Sequence, residues 1–298
     1  MHTKAKRTGH AGEVIVVAAL ALAVTMILLL TTPFSPAAAE TGAPDTDDRF
    51  FTDLANLIVP GMNLGECGPE QASELQALAD IRPEEAGRLN FMAAHVEIYS
   101  EEAVRTALKN PEKLDFILML PFQAPDDSGL DARIDLTEGI PYISQFDSRW
   151  AYHAYGSGVI GMTGCGPTCL AMAVAGLTGN ADANPARIAD FAEANGYYAA
   201  GAGTMWSLFT EGAAAFGLVG SELPLDENVI RAALDGGVVV ASMLPGDFTD
   251  TGHFIVIYAY DGQNFRVHDP NSAELSSRTW SYSDLAGQIA NLWSLRAA

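Results

Sequence analysis

Cysteine is scarce in this chain: Cys67, Cys165 and Cys169 are the only three in 298 residues. So few thiols exclude a disulfide framework, and the fold must rest on apolar burial. Whether Cys67 and Cys169 pair stays open at this level. Basic residues are also few, 16 Lys and Arg against 37 Asp and Glu, a formal charge of −21. That balance repels phosphate backbones, and no basic stripe offsets it, which excludes nucleic acid as a partner. Cys165 and Cys169 are spaced as a zinc site could use, but no second Cys or His pair at ligand spacing follows. A metal is not expected, and no cofactor is expected either. No internal repeat and no low-complexity tract occurs. What the chain does have is apolar material: hydrophobic residues make up 49% and charged ones 18%. Most of it can therefore bury a core.

The N-terminus differs from the rest. Lys4, Lys6 and Arg7 precede an apolar run over 14–30, followed by Pro33, Pro36 and Ala37-Ala38-Ala39. A basic start, an apolar stretch and an A-x-A site describe a secretory signal peptide. The run is also just long enough to span a bilayer. Residues 1–39 are therefore expected to be either a leader cleaved after Ala39, the favoured reading, or an N-terminal membrane anchor. Both place the remainder outside the cytoplasm, secreted or held on the outer face of the membrane. The membrane is expected to be touched through that segment only, if it is uncleaved.

Residues 40–48 read as a linker. From 49 to 122 the pattern is helical. Phe50, Phe51, Leu54, Leu57 and Ile58 share a face, as do Leu89, Met92, Ala93 and Val96. Pro69 and Pro83, each followed by Glu, suit helix starts, and Ser100 and Asn110-Pro111 suit N-caps. Residues 123–139 are polar and read as a second linker. From 140 to 298 helices come first, expected over 167–177, from Asn184-Pro185 to Asn195, over 205–216 and over 226–234. Strands follow over 238–243, 253–260, 265–268 and 292–296, with Asp261-Gly262 as a hairpin turn. Helices first and antiparallel strands after predict an α+β domain, preceded by a small all-α region.

The chemistry concentrates at element boundaries. Cys165 lies in Thr163-Gly164-Cys165-Gly166-Pro167-Thr168, the entry to a helix. A helix N-terminus and a nearby imidazolium both lower a thiol's pKa. The flanking glycines let a substrate approach the backbone, and the Cys165 N–H is a free donor for a developing oxyanion. Cys169, one turn on among apolar residues, reads as a buried small hydrophobe. His253 opens a strongly apolar strand and is the best base. His268, inside a short strand beside Asp269, could compete; His153 reads as a surface residue and His95 as partly buried and structural. Asp269 stands where a hairpin could return it to His253, to orient the ring and stabilise its charge. Trp206 and Asp247 are positions that could border a cleft.

These residues resemble a known family. The segment Ile140-Pro141-Tyr142-Ile143-Ser144-Gln145-Phe146-Asp147, then Gly164-Cys165-Gly166-Pro167, Gly252-His253-Phe254 and Asp269-Pro270, is similar to the papain-fold cysteine peptidases of family 39. That is the bacteriocin-leader-processing type, and the likeness is closer to its stand-alone extracellular bacterial relatives. The resemblance implies a papain-like fold over 140–298. It implies Cys165 as nucleophile, His253 as base and acid, Asp269 as orienter and Gln145 as a side-chain donor to the oxyanion hole. Gln145 stands further upstream of Cys165 than in transporter-linked members, and no Walker A sequence occurs. The implied activity is an exported thiol peptidase acting on a peptide or protein. The alternatives are a peptidoglycan stem-peptide amidase or endopeptidase and a catalytically silent binding module. For the helical region, a pro-region, a docking module and a packing partner all stay open.

Overall fold

The computed structural model describes residues 46–298 except 60, 61, 63, 64, 66 and 138. The segment expected as signal peptide or anchor, 1–39, and most of the expected linker over 40–48 lie outside the described residues. Residues from Phe51 to Ala298 form one compact unit. Among the described residues no helix is long and apolar enough to cross a membrane.

Helices come first, as the pattern predicts: α1 (Thr46–Ala55), α2 (Pro69–Ile81), α3 (Ala86–Ala94), α4 (Glu101–Lys109) and α5 (Leu114–Met119). Pro69 occupies the first turn of α2, where its missing N–H is not needed. The Ser100 side chain accepts from the Ala103 N–H and caps α4. The stripe of Leu89, Met92, Ala93 and Val96 is buried.

The segment over 123–139, expected as a linker, is packed down. The Asn184 amide donates to the carbonyls of Gly129 (3.0 Å) and Ala132 (2.6 Å), and Ile134 is buried with its N–H on Ala181. Beyond it lie α6 (Ile160–Thr163), α7 (Cys165–Thr178) and α8 (Pro185–Ala194), with two short hairpins, β1 (Ala154–Tyr155) with β2 (Gly158–Val159) and β3 (Tyr198–Ala199) with β4 (Gly203–Thr204). The rest is β5 (Leu218–Leu223), α9 (Glu227–Ala233), β6 (Gly237–Met243), β7 (His253–Tyr260), β8 (Phe265–His268), α10 (Ala273–Ser277), β9 (Thr279–Trp280), α11 (Tyr282–Ala286) and β10 (Ile289–Ala297).

One antiparallel sheet has the order β5-β10-β6-β7-β8-β9. Val238, Val240, Phe254 and Val256 face a core shared with Leu170, Ala173 and Val174 of α7. Val239, Ala241, Ile255 and Ile257 face the opposite core, with Ile230 and Leu285. Both faces of these strands are covered, which is why they read as unbroken apolar runs rather than alternating ones. Each such side chain contributes roughly 1.5–3 kcal/mol when fully buried. Helix α7 is apolar nearly all round, as a central helix must be, and Gly179 ends it in the left-handed conformation.

Three further readings change. Residues 205–216, expected as one α-helix, form two 3₁₀ segments, Trp206–Leu208 and Gly212–Phe216, because Thr210 between them and Gly212 at the start of the second both have low helix propensity. Strand β5 was not foreseen, since an edge strand with one half-exposed side carries little apolar signal. His153 is buried rather than on the surface, because Asp190 Oδ1 takes its Nε2 at 2.8 Å.

The helical region meets the C-terminal part at Phe116. A Cβ placed on Gly161 would sit 2.3 Å from the Phe116 ring, so only glycine admits this contact. Phe116 also stacks against Tyr152 at 5.2 Å and is 5% exposed. Phe116→Ala is expected to lower stability by about 3–5 kcal/mol, read as a fall in the urea midpoint at unchanged slope.

Candidate active site

Cys165 is placed by two consecutive helices. α6 ends at Gly164, which also starts α7, so Cys165 is the first residue of α7. Gly166 is required by crowding: a Cβ there would lie 2.6 Å from the Thr204 side chain. The first strand residues of β7 lie against this first helical turn. Phe254 carries both thiols through its backbone: it hydrogen-bonds the Cys165 sulfur, and its carbonyl accepts from Cys169 Sγ at 3.2 Å. Cys67, Cys165 and Cys169 are all free thiols.

His253 opens β7, opposite Met243 of β6. The β7–β8 hairpin turns at Asp261-Gly262, where the Asp261 carboxylate accepts from the Gln263 and Asn264 N–H groups. Gly262 there takes φ 102°, a conformation favouring glycine. The register sets Val256 against His268, so the end of β8 returns beside the start of β7. His253 Nε2 therefore donates to Asp269 Oδ1 at 2.6 Å, with both side chains buried. That bond leaves Nδ1 for the thiol. Asn271 Nδ2 lies 3.5 Å from the same Nδ1. The carboxylate is held in turn by the Asn271 N–H (2.7 Å), and the Asp269 N–H donates to Ser276 Oγ.

The electrostatics split the two thiols of α7. Burial pushes Cys169 far up. Burial also opposes ionisation of Cys165, but the His253 ring and the backbone bonds of Phe254 and Gly166 outweigh it, and its pKa falls below the ordinary value. For His253, burial works against the charged ring, yet the charge and hydrogen bond of Asp269, then the thiol, raise it well above an ordinary histidine. Each group thus favours the charged form of the other, the ring holding the thiol down and the thiol holding the ring up. The sulfur opens onto a cleft of about 580 Å³.

Gln145 lies behind this set. It is fully buried, its N–H donates to the Pro270 carbonyl at 2.9 Å, and its Nε2 points at the carbonyls of Ile160 (3.3 Å) and Gly161 (3.0 Å) in α6. His268 stands apart, its Nε2 donating to the Ile140 carbonyl (3.0 Å) and its ring stacked on Tyr258 at 4.0 Å; burial lowers its pKa. His95 packs on Phe91. Asp247 lines the cleft but is tied to Gln288, while Trp206 leans on Trp293. Among the described residues no group of three or more His, Cys, Asp or Glu could hold a metal.

Two residues beside the set were not read from the sequence. Asn271 had a signal, its place two positions after Asp269. Lys113 had little: it stands before an apolar run in the helical region, yet it is 4% exposed and lines the same cleft.

The Peptidase_C39 like family profile matches residues 137–297. This chain belongs to that family. Membership gives a C39-type assignment, a mixed α and antiparallel β fold, and cysteine peptidase function in general. Among solved structures, a Bacillus anthracis protein described as a candidate C39-like peptidase matches with a TM-score of 0.35 and 17% identity, over 56% of this chain and 100% of that one. No curated protein matches.

In this C39-like chain the acid–base logic gives a direct expectation. Cys165 should react with iodoacetamide well below the pH at which a free cysteine, with a pKa near 8.5, becomes reactive. In His253→Ala both contributions of the ring are lost and only the Phe254 and Gly166 backbone bonds still oppose burial, so the reactive range should move to higher pH than in wild type. Equal pH profiles for the two proteins would contradict the ion pair.

Proposed function

We propose that the protein is an exported thiol peptidase, with the segment over 1–39 serving as cleaved leader or anchor. The observation that carries the reading is the short His253–Asp269 bond set behind a thiol of lowered pKa at the first turn of α7. The Cys165 thiolate adds to the scissile carbonyl, and the sulfur–carbon bond forms as the carbonyl π electrons move onto oxygen. The Cys165 N–H, at the first position of α7, is a donor available to that oxygen. Gln145 is the second donor in this reading; its Nε2 lies on the Ile160 and Gly161 carbonyls and would exchange one of them for the oxyanion. The His253 imidazolium gives its Nδ1 proton to the leaving amine, which departs and leaves an acyl-enzyme. The neutral ring then takes a proton from water, the hydroxide attacks, and the thiolate returns. Asp269 keeps the ring in one tautomer throughout and steadies its charge.

Substrate class is decided by running a peptide library and purified peptidoglycan side by side. Wild-type protein is expected to cut peptides while Cys165→Ala does not. Release of new termini from peptidoglycan alone would favour the wall enzyme, and inactivity on both would favour a silent module. Gln145→Ala is expected to lower kcat by about 10²–10³ with KM little changed; an unchanged kcat would remove Gln145 from the oxyanion hole.

A further inference from the structure

The catalytic set carries a charge problem that its own members do not solve. Once Cys165 is ionised, as attack requires, thiolate, imidazolium and carboxylate sum to one negative charge, and the carboxylate is fully buried. Asp269 Oδ1 is occupied by His253 and Asn271, whereas Asp269 Oδ2 has no hydrogen-bond partner among the described residues. A buried net charge is costly unless something of opposite sign stands near.

The helical region supplies such a group. Lys113 follows α4 and sits 4% exposed, with Nζ donating to the Gly161 carbonyl at 2.8 Å. The Phe146 ring lies beneath it, 5.6 Å from Nζ. Gly161 O is the carbonyl that Gln145 Nε2 also reaches, so two side chains from different parts of the chain grip the α6 turn that delivers Cys165. An ammonium uses one of its three donors there. Burial lowers Lys113 to about 8, while the Cys165 and Asp269 charges hold it up, then Glu102. It is therefore mostly charged at neutral pH.

The neighbours of Lys113 clamp it from the other side. Asn110 Nδ2 donates to the Asn271 carbonyl at 2.8 Å. The Glu112 carboxylate accepts from Ser272 Oγ (2.6 Å) and from the Ala273 N–H (2.7 Å), at the start of α10. Residues 110–113 thus bind the Asp269 loop and the Cys165 turn together.

We infer that Lys113 is a positioning residue of the catalytic set, neutralising its buried negative charge, and that the helical segment bearing it is a permanent part of the active site rather than a removable pro-region. The inference rests on the thiol-peptidase reading. Its test reads Cys165 alkylation as well as turnover, so the two can fail separately.

Three variants of the full chain are compared with wild type at neutral pH. Lys113→Met removes charge and donor, Lys113→Gln keeps a donor, and Lys113→Arg keeps the charge. Met and Gln are expected to slow alkylation and kcat about tenfold, the equivalent of one pKa unit, with KM within about twofold. Arg is expected to recover most of the loss. Lys113→Gln reacting at the wild-type rate would overturn the charge role, and an equal loss in Arg would reduce Lys113 to packing. If Lys113→Met does not fold, the Gln and Arg pair decides. A wild-type thiol no more reactive than free cysteine would instead sink the peptidase reading itself.

Discussion

The contact between the start of β7 and the first turn of α7 is what the active site depends on. Phe254 touches both thiols of the helix through its backbone, and His253, one residue earlier, is thereby carried to Cys165. The strand cannot shift by one residue without exchanging its two apolar faces, since Phe254 and Val256 serve one core and Ile255 and Ile257 the other. Register on the sheet therefore sets the position of the imidazole. The same hairpin fixes Asp269, so one core-determined register aligns base and orienter together.

Around that contact, charge is arranged by burial. The two thiols of α7 are one turn apart, yet one is lowered and the other raised. The difference lies in what faces the sulfur: an imidazolium and backbone donors at Cys165, an apolar core at Cys169. A low-dielectric setting strengthens both effects. It also makes the unmatched negative charge of the set matter, and the helical region meets it with Lys113. A region that reads as a separate all-α unit is thus bonded to the site at Gly161, Asn271, Ser272 and Ala273.

Much of this architecture was legible. Strands buried on both faces announce themselves as Val- and Ile-rich runs, and the expected β6, β7 and β8 fall where those runs are. Caps at Ser100 and Asn184 follow from local hydrogen-bonding chemistry, which needs no tertiary context. The 3₁₀ breaks over 206–216 and the edge strand β5 were not legible, because neither carries a strong period. His153 was misread for another reason: its burial depends on Asp190, far along the chain, taking its ring nitrogen.

The chain's own order of residues determined the chemical types and their local settings: a thiol at a helix start, a histidine at a strand start, a carboxylate at a strand end. Those are short-range properties, set by capping, glycine freedom and periodicity. The tertiary structure alone decided which nitrogen of His253 meets Asp269, that Gln145 turns toward the α6 carbonyls, and that Lys113 is drawn into the cleft. Each of these depends on desolvation and on partners many residues away, and a buried charge is recognisable only when its surroundings are assembled.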